Sequence, residues 1–478
     1  MVDDFQRIPS VISNAEGLQK RDRDTVRALY QLYEEKLTRN LLRDQYYEMK
    51  QRPKDLGISV PPHLRDLEQV VGWCAKAVDS LANRSQFDGF VCDDETQLNA
   101  LQLVCRRNNL NRKYRKAVRS ELKHSCSFVT VTTSPRGKAL INVYPATAAA
   151  ALWSDYLGRI SSGMVVVDRD NTYNGKSKPV WVDVFTDEAV IEIKFNGNKW
   201  EAEYKPHSMG RCLMEALVHN ATLDRPMGTS RITRAVMNIT DSAMRASVRS
   251  EISAEFFTSP QKYLLGADKE ALGHQTKWDA YIGNIFAVAK DKTGATPQFG
   301  QLSQGTMQPH VDYMRALAAR FSGETNVPIS ELGIIQDNPS SAEAIYAAKE
   351  ALVIDAQNLN ADNGEALKRV AQMALAVETE TNLESVEEQT DTLQAKFKNP
   401  ALPSLVSQAD AISKAVSVFN WMSESDVALE EFGFNDDQMQ RLKQDRRKAE
   451  AREMATARFA NMKAETNDSQ PATNNELS

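Results

Sequence analysis

Residues 229–257 read TSRITRAVMNITDSAMRASVRSEISAEFF, with no glycine or proline in the whole stretch. Such a run predicts one long helix, because nothing in it breaks the backbone ladder. Its apolar positions Ile232, Val236, Ile239, Ala243 and Ala246 follow a four-three-four-three spacing. That spacing draws a narrow seam for packing on other helices. Other faces carry Arg231, Arg234, Asp241, Arg245, Arg249, Glu251 and Glu255. At 1.5 Å per residue the helix would run roughly 40 Å, long for a compact domain and suited to a bundle or an oligomeric barrel.

Around it the chain divides by pattern. Helical periodicity spans Asp24 to Met49, then the set Leu67, Val70, Val71, Cys74, Val78 and Leu81, then Glu95 to Lys123. Residues 125–205 switch to strand-like alternation, with a hairpin through Pro135-Arg136-Gly137 and a tight turn at Asn196-Gly197. Residues 259–305 are punctuated by glycine and proline, and helix resumes over Gln308–Phe321. Mainly helical sequence follows to Met462, and the polar end KAETNDSQPATNNELS is expected to be disordered. The fold class is α+β: a mainly helical chain with a β-rich insert.

At 478 residues the chain has room for two to four modules, and 42% hydrophobic content supplies a core. A formal net charge of −6 excludes a bulk basic nucleic-acid binder. Five cysteines, an odd number without C-x-x-C pairs, read as unpaired thiols in a reducing compartment. Neither a charged-then-apolar leader nor about 18 uninterrupted apolar residues is present, so a soluble protein without membrane contact is expected.

Motifs for chemistry are sparse. Six scattered histidines give no metal spacing, and neither a Walker A loop nor G-x-G-x-x-G occurs, so no cofactor or metal is expected. His124 and Cys126 stand two apart on an expected strand, a pairing that could activate a thiolate for a cysteine-dependent hydrolase or transferase. A small buried thiol beside a surface histidine is the plainer reading. Residues 106–123 hold eight cations against Glu121 alone, with Tyr114 interleaved. Such a segment suits phosphate contact, a solvated face or an inter-subunit salt-bridge surface. Residues 441–458 mix both signs and read as a self-neutralising exposed helix.

The stretch IIQDNPSSAEAIYAAKEAL (334–352) resolves locally into a capped helix. Ser340 and Glu343 fit an S-x-x-E capping box behind Pro339. Ala344, Ala347, Ala348 and Ala351 permit close helix approach, and Gln336, Asp337 and Asn338 make a short polar loop before them. A nucleophilic serine would want a G-x-S-x-G elbow, which is absent.

The order of these parts resembles the portal, or head-to-tail connector, proteins of tailed double-stranded-DNA bacteriophages of the siphophage type. The likeness spans roughly residues 25–360. It rests on the helix ending in Tyr46-Tyr47, on VPPHLRDLEQVVGWCAKAVDSLANRSQFDGF with Val78, Asp79, Ser80, Leu81, Ala82, Arg84, Gly89 and Phe90, and on LVHNATLDRPMGTSRI (217–232). The long helix and the polar loop before SSAEAI complete it.

The resemblance implies a wing over residues 1–228, a stem helix over 229–258 packed through Ile232, Val236, Ile239, Ala243 and Ala246, and a clip over 259–305. It further implies a second stem helix over 306–322, a tunnel loop over 323–340, a tunnel helix over 341–360, a crown over 361–465 and a tail over 466–478. Gln336, Asp337, Asn338 and Ser340 would face DNA, and Ser340 with Glu343 would cap the tunnel helix.

The implied function is a non-enzymatic ring, usually of twelve copies, through which double-stranded DNA enters and leaves the virion at one capsid vertex. The implied partners are the major capsid protein, a scaffold protein, the terminase large subunit and head-tail adaptor proteins. Assembly would take place in the host cytoplasm. A helical capsid scaffold or adaptor is the remaining alternative, and the β-rich insert argues against it.

Overall fold

A computed structural model of the chain describes residues 11–51, 69–170, 178–258, 262–265, 298–301, 305–334 and 342–401. In the C-terminal part it describes 405–419, 421–422, 425–434 and 436–467. Contacts divide the chain into a unit over Met1–Pro400 and a second over Ala401–Ser478.

The first unit opens with helix α1 (Lys20–Tyr47), whose Val26, Leu29, Tyr30 and Tyr33 recur at helical spacing and are buried. Helix α2 is Trp73–Ala82, shorter than its periodic sequence suggests. Val70 is 62% exposed, and Gly72 stands at the N-cap, so Val70 and Val71 precede the helix, while Leu67 lies outside the described residues. After β1 (Phe87–Val91) come α3 (Glu95–Asn108) and α4 (Leu110–His124). One helix was expected here. Asn109 takes a left-handed φ of 51°, which asparagine tolerates better than most residues, and it splits the run in two.

The β block forms two antiparallel sheets. Strands β2 (Cys126–Thr133) and β3 (Ala139–Pro145) make the expected hairpin, and β9 (Met214–Val218) joins the free edge of β2. The five-stranded meander is β4 (Ala149–Ser154), β5 (Arg159–Asp170), β6 (Lys178–Phe185), β7 (Ala189–Phe195) and β8 (Trp200–Pro206). Val182 and Val184 pair with Ile193 and Ile191 across β6 and β7, and all four pack in one core with α1. The two-residue period of a strand thus meets the helical period of α1 across one apolar layer.

Helix α5 is Arg234–Thr258, 25 residues or about 37 Å. It begins five residues later than its composition suggests, because Thr233 Oγ1 accepts from Val236 N at 3.2 Å and caps the helix there. Ile232 therefore precedes the helix, although it is fully buried. Val236, Ile239, Ala243 and Ala246 are buried as well. The buried surface is broader than a seam: Thr240, Met244, Val248 and Ile252 are also under 6% exposed.

Helix α5 packs against α6 (Gln308–Thr325), whose Leu317, Ala318 and Phe321 share its core, and against α2, whose Trp73 meets Phe321 of α6 with ring centroids 5.3 Å apart. Between the two long helices, β10 (Lys262–Leu265) and β11 (Gln298–Gln301) pair antiparallel. Most of the segment expected as a clip lies outside the described residues.

Helix α7 runs unbroken over Ala342–Thr379, 38 residues. The boundary expected between residues 360 and 361 falls inside it. Its second half packs on β2, β3, β9 and α3, and after α8 (Leu383–Gln389) strand β12 (Gln394–Phe397) pairs with β1. Residues 361–400 thus belong to the first unit. Asn363-Gly364 sits mid-helix, and a Cβ at 364 would meet Phe397 only at an ordinary contact distance of 3.6 Å.

The second unit holds α9 (Leu405–Val418), α10 (Asp426–Glu431) and α11 (Asp436–Asn467). Over 441–458 helix α11 is exposed, with Arg446 paired to Glu450 and Lys448 to Asp445. The tail over 466–478 lies almost wholly outside the described residues.

Candidate functional site

Three helices converge on Arg231, which lies on the approach to a fourth. Its Nε donates to the Ala77 carbonyl at 2.7 Å, its Nη1 lies 3.3 Å from Asp355 Oδ2, and its Nη2 donates to the Thr325 carbonyl. The same carboxylate accepts from Asn326 Nδ2 at 3.1 Å. One guanidinium thereby ties the middle of α2, the approach to α5, the end of α6 and the first half of α7. Periodicity placed Arg231 on a solvent face, but the cap at Thr233 turns the chain before the helix starts, and Arg231 is 8% exposed. Its fork of five donors suits three acceptors at once.

The chain leaving α6 is held just as firmly. Val327 is fully buried, and Glu331 in the single turn Ile329–Leu332 accepts from Ser80 Oγ at 3.0 Å. Lys76 and Arg84 lie 3.5 and 3.7 Å from the same carboxylate. Beyond residues 335–341, helix α7 returns with Leu352 and Ala356 fully buried. The chain is thus anchored before residue 335 through Glu331 and after residue 341 through Leu352, Asp355 and Ala356. Gln336, Asp337, Asn338 and Ser340 lie outside the described residues, and Glu343 is in the first turn of α7. Ala347, Ala348 and Ala351 are exposed in the single chain, while the buried stripe is Leu352, Ala356 and Leu359.

The structure does not assemble a Cys–His pair. His124 ends α4, and Ser125 at φ 96° separates it from β2, so the two residues do not share a strand face. The imidazole contacts Ser120 Oγ at 3.2 Å and Asp44 Oδ1 at 3.1 Å, whereas the Cys126 thiol accepts from Ser125 Oγ at 3.9 Å. Burial pushes that thiol up to about 12, so it stays protonated at neutral pH and is a poor nucleophile.

The basic segment 106–123 is partly neutralised within its own chain. Arg107 pairs with Glu378 at 2.9 Å, Arg119 with Asp79 at 3.1 Å and Lys123 with Asp44 at 2.5 Å, while Lys113 donates to the Ile141 carbonyl. Tyr114 is buried, its hydroxyl 2.6 Å from Ser85 Oγ and 3.1 Å from Asn363 Nδ2, so its ring offers no platform for a base. Arg106, Arg112, Arg115 and Lys116 remain exposed.

Among the described residues no cluster of His, Cys, Asp and Glu has the arrangement of a metal site. No described helix is long and apolar enough to cross a membrane.

A family model described as "Phage portal protein, SPP1 Gp6-like" matches residues 19–452. The chain is 26% identical over 387 residues to the portal protein of Mycobacterium phage D29, with 77% of each chain covered. It is 25% identical over 385 residues to the portal protein of Mycobacterium phage L5, with the same coverage. A chain in the solved virion of a native gene transfer agent particle aligns with 80% of this chain and 89% of its own, at 12% identity and a TM-score of 0.43.

Proposed function

The chain belongs to the phage portal protein family of the SPP1 Gp6-like type, and on that premise we propose that it forms a ring-shaped channel at one capsid vertex through which double-stranded DNA enters and leaves. The observation that carries this reading is the extent of the family match, which runs from before α1 into α11. The fold is compatible at two points. Two long helices pack together with the β10–β11 ribbon in the chain between them, and the chain is anchored before residue 335 through Glu331 and after residue 341 through Asp355.

In this reading α5 and residues 306–322 are the stem, the insert over 259–305 is the clip, and residues 323–340, which include the last turn of α6, are the tunnel loop ahead of α7. The β block with α1 to α4 is the wing, and the unit from Ala401 is the crown. The ring holds twelve copies, has no catalytic role, and needs no cofactor. Its partners are the major capsid protein, a scaffold protein, the terminase large subunit during packaging and head-tail adaptor proteins afterwards. Assembly takes place in the host cytoplasm before the protein becomes part of the virion. The negative net charge fits a conduit along which a polyanion slides without adhering.

Native mass spectrometry and negative-stain images of the purified chain test this. Closed rings with a central hole are expected, and a chain that stays monomeric at assembly concentrations overturns the reading.

A further inference from the structure

Beside the start of α5 the structure holds a cleft of about 680 Å³ whose described lining carries Lys36, Arg39, Arg43, Arg225 and Arg234 and no carboxylate. Arg39, Arg225 and Arg234 have no ion-pair or hydrogen-bond partner for their guanidinium groups among the described residues. Arg43 is half-buried and finds only neutral acceptors, Asn40 Oδ1 at 3.4 Å and the His124 carbonyl at 3.0 Å, while its Nε is buried and unpaired. Lys36 is paired with Glu35 at 2.5 Å beside the rim. In a chain of net charge −6, the three unpaired guanidinium groups and Arg43 around one concavity mark a surface completed by an anion. The floor is apolar, with Phe128, Ala149, Ala150 and Met227.

A matching shape sits elsewhere on the same subunit. The β4–β5 turn presents Asp155, with Tyr156 95% exposed, Leu157 45% and Trp153 36%. It is a rigid knob: Gly158 N donates to Ser154 O at 2.9 Å and Leu157 N to Ser154 Oγ at 3.3 Å. Asp155 has no ion-pair or hydrogen-bond partner among the described residues. An acid flanked by an aromatic and a leucine is what a cationic rim over an apolar floor accommodates. A subunit does not fill its own cleft this way. Ala149 and Ala150 line the cleft at one end of β4 and the turn lies beyond the other, about 17 Å along the strand.

We propose that the Asp155–Tyr156–Leu157 turn of one copy docks into the Lys36–Arg39–Arg43 cleft of the next. Two different patches on one subunit make a heterologous contact, the kind that repeats head to tail and closes into a ring. The proposal rests on the ring reading above and assigns it a specific contact.

The test uses rings assembled from equal amounts of ¹⁵N-labelled and unlabelled full-length chain, treated with a zero-length carbodiimide that joins amines to carboxylates. Peptide mass spectrometry is expected to find Lys36 joined to Asp155 in mixed heavy–light pairs. Arg39→Glu and Asp155→Arg, both at exposed positions, are each expected to raise the concentration for half-assembly at least about tenfold. The double variant is expected to recover most of that loss.

Cross-links only between like-labelled peptides, or single variants that assemble as the parent does, overturn the contact while leaving the ring standing. Arg39→Glu rings of parental stability that lose affinity for a duplex oligonucleotide also overturn it, and assign the cleft to phosphate. A parental chain that never assembles overturns ring and contact together.

Discussion

The Arg231 guanidinium reaches across from the approach to α5 to within 3.3 Å of the Asp355 carboxylate on α7, and through that pair the long helix is fixed to the helix that follows the polar loop. Arg231 is almost fully buried and Asp355 is partly open, so the arginine carries most of the desolvation cost and depends on all three of its acceptors. Arg231→Met takes the guanidinium donor from the Ala77 and Thr325 carbonyls and the counter-charge from Asp355, which keeps its hydrogen bond from Asn326 Nδ2. A loss of about 3–5 kcal/mol in urea unfolding of the first unit is expected. Arg231→Lys supplies one charge without the fork and should fall between the two. A change under about 1 kcal/mol for Arg231→Met would show that the hub is incidental.

Glu121 gives a pH signature. It is buried on α4, accepts from Asn363 Nδ2 at 2.9 Å, and burial pushes its carboxyl up to about 8. Between the ordinary carboxylate range and about pH 8 the folded chain therefore holds a proton that the unfolded chain has released. The unfolded state binds fewer protons, so this group's contribution to stability falls as pH rises through that window and is flat above it. Glu121→Gln keeps the neutral shape and removes the titration. Relative to the parent, the variant should gain stability from pH 5 to pH 8, by at most roughly tenfold in the folding equilibrium per pH unit. Thermal unfolding across that range reads it out, and a constant difference between the two proteins would refute it.

Cys126→Ser separates a buried structural thiol from a nucleophile. The substitution should cost about 1–2 kcal/mol, because a hydroxyl replaces a thiol in an apolar site. Ring assembly and DNA packaging should be retained. Cys126 should also resist thiol reagents in the folded protein, since its proton is held up to about pH 12. Abolished function in a Cys126→Ser protein that still folds and forms rings would restore a chemical role.

Residues 336–339 should matter to DNA and not to assembly. The mooring at Glu331 on one side and Asp355 on the other is independent of them. Deleting or doubling the four residues should impair packaging or retention of DNA while native mass spectrometry still finds rings. Unchanged packaging would remove them from the channel's working surface.

Local patterns were enough for the elements whose partners lie close in sequence. The Ser134–Lys138 turn closes β2 on β3 through Ser134 N to Lys138 O at 2.8 Å, and Asn196 N to Lys199 O at 3.1 Å closes β7 on β8. Both turns are spelled in their own residues. Strand β4 was not legible, because AAALWS carries helix-favouring alanines and becomes a strand only by pairing with β5. The same holds for β12, which pairs with β1 some 300 residues earlier. At the candidate site, the helices on either side of residues 335–341 could be read, but the hub could not. An arginine two residues before a capped helix looks like any surface cation until three remote acceptors surround it.

The sequence by itself determined that one long helix lies within residues 229–257, that a β block interrupts a helical chain, and that the order of parts resembles that of a portal protein, since period and chain order are local or linear properties. The tertiary structure alone decided which charges are buried, that Asn109 splits one helix while Asn363-Gly364 leaves another whole, and that the first unit extends to Pro400. The difference is physical. A helix satisfies its backbone from within four residues, whereas the burial of Arg231 or the pairing of β1 with β12 draws on contacts that exist only once distant parts of the chain have met.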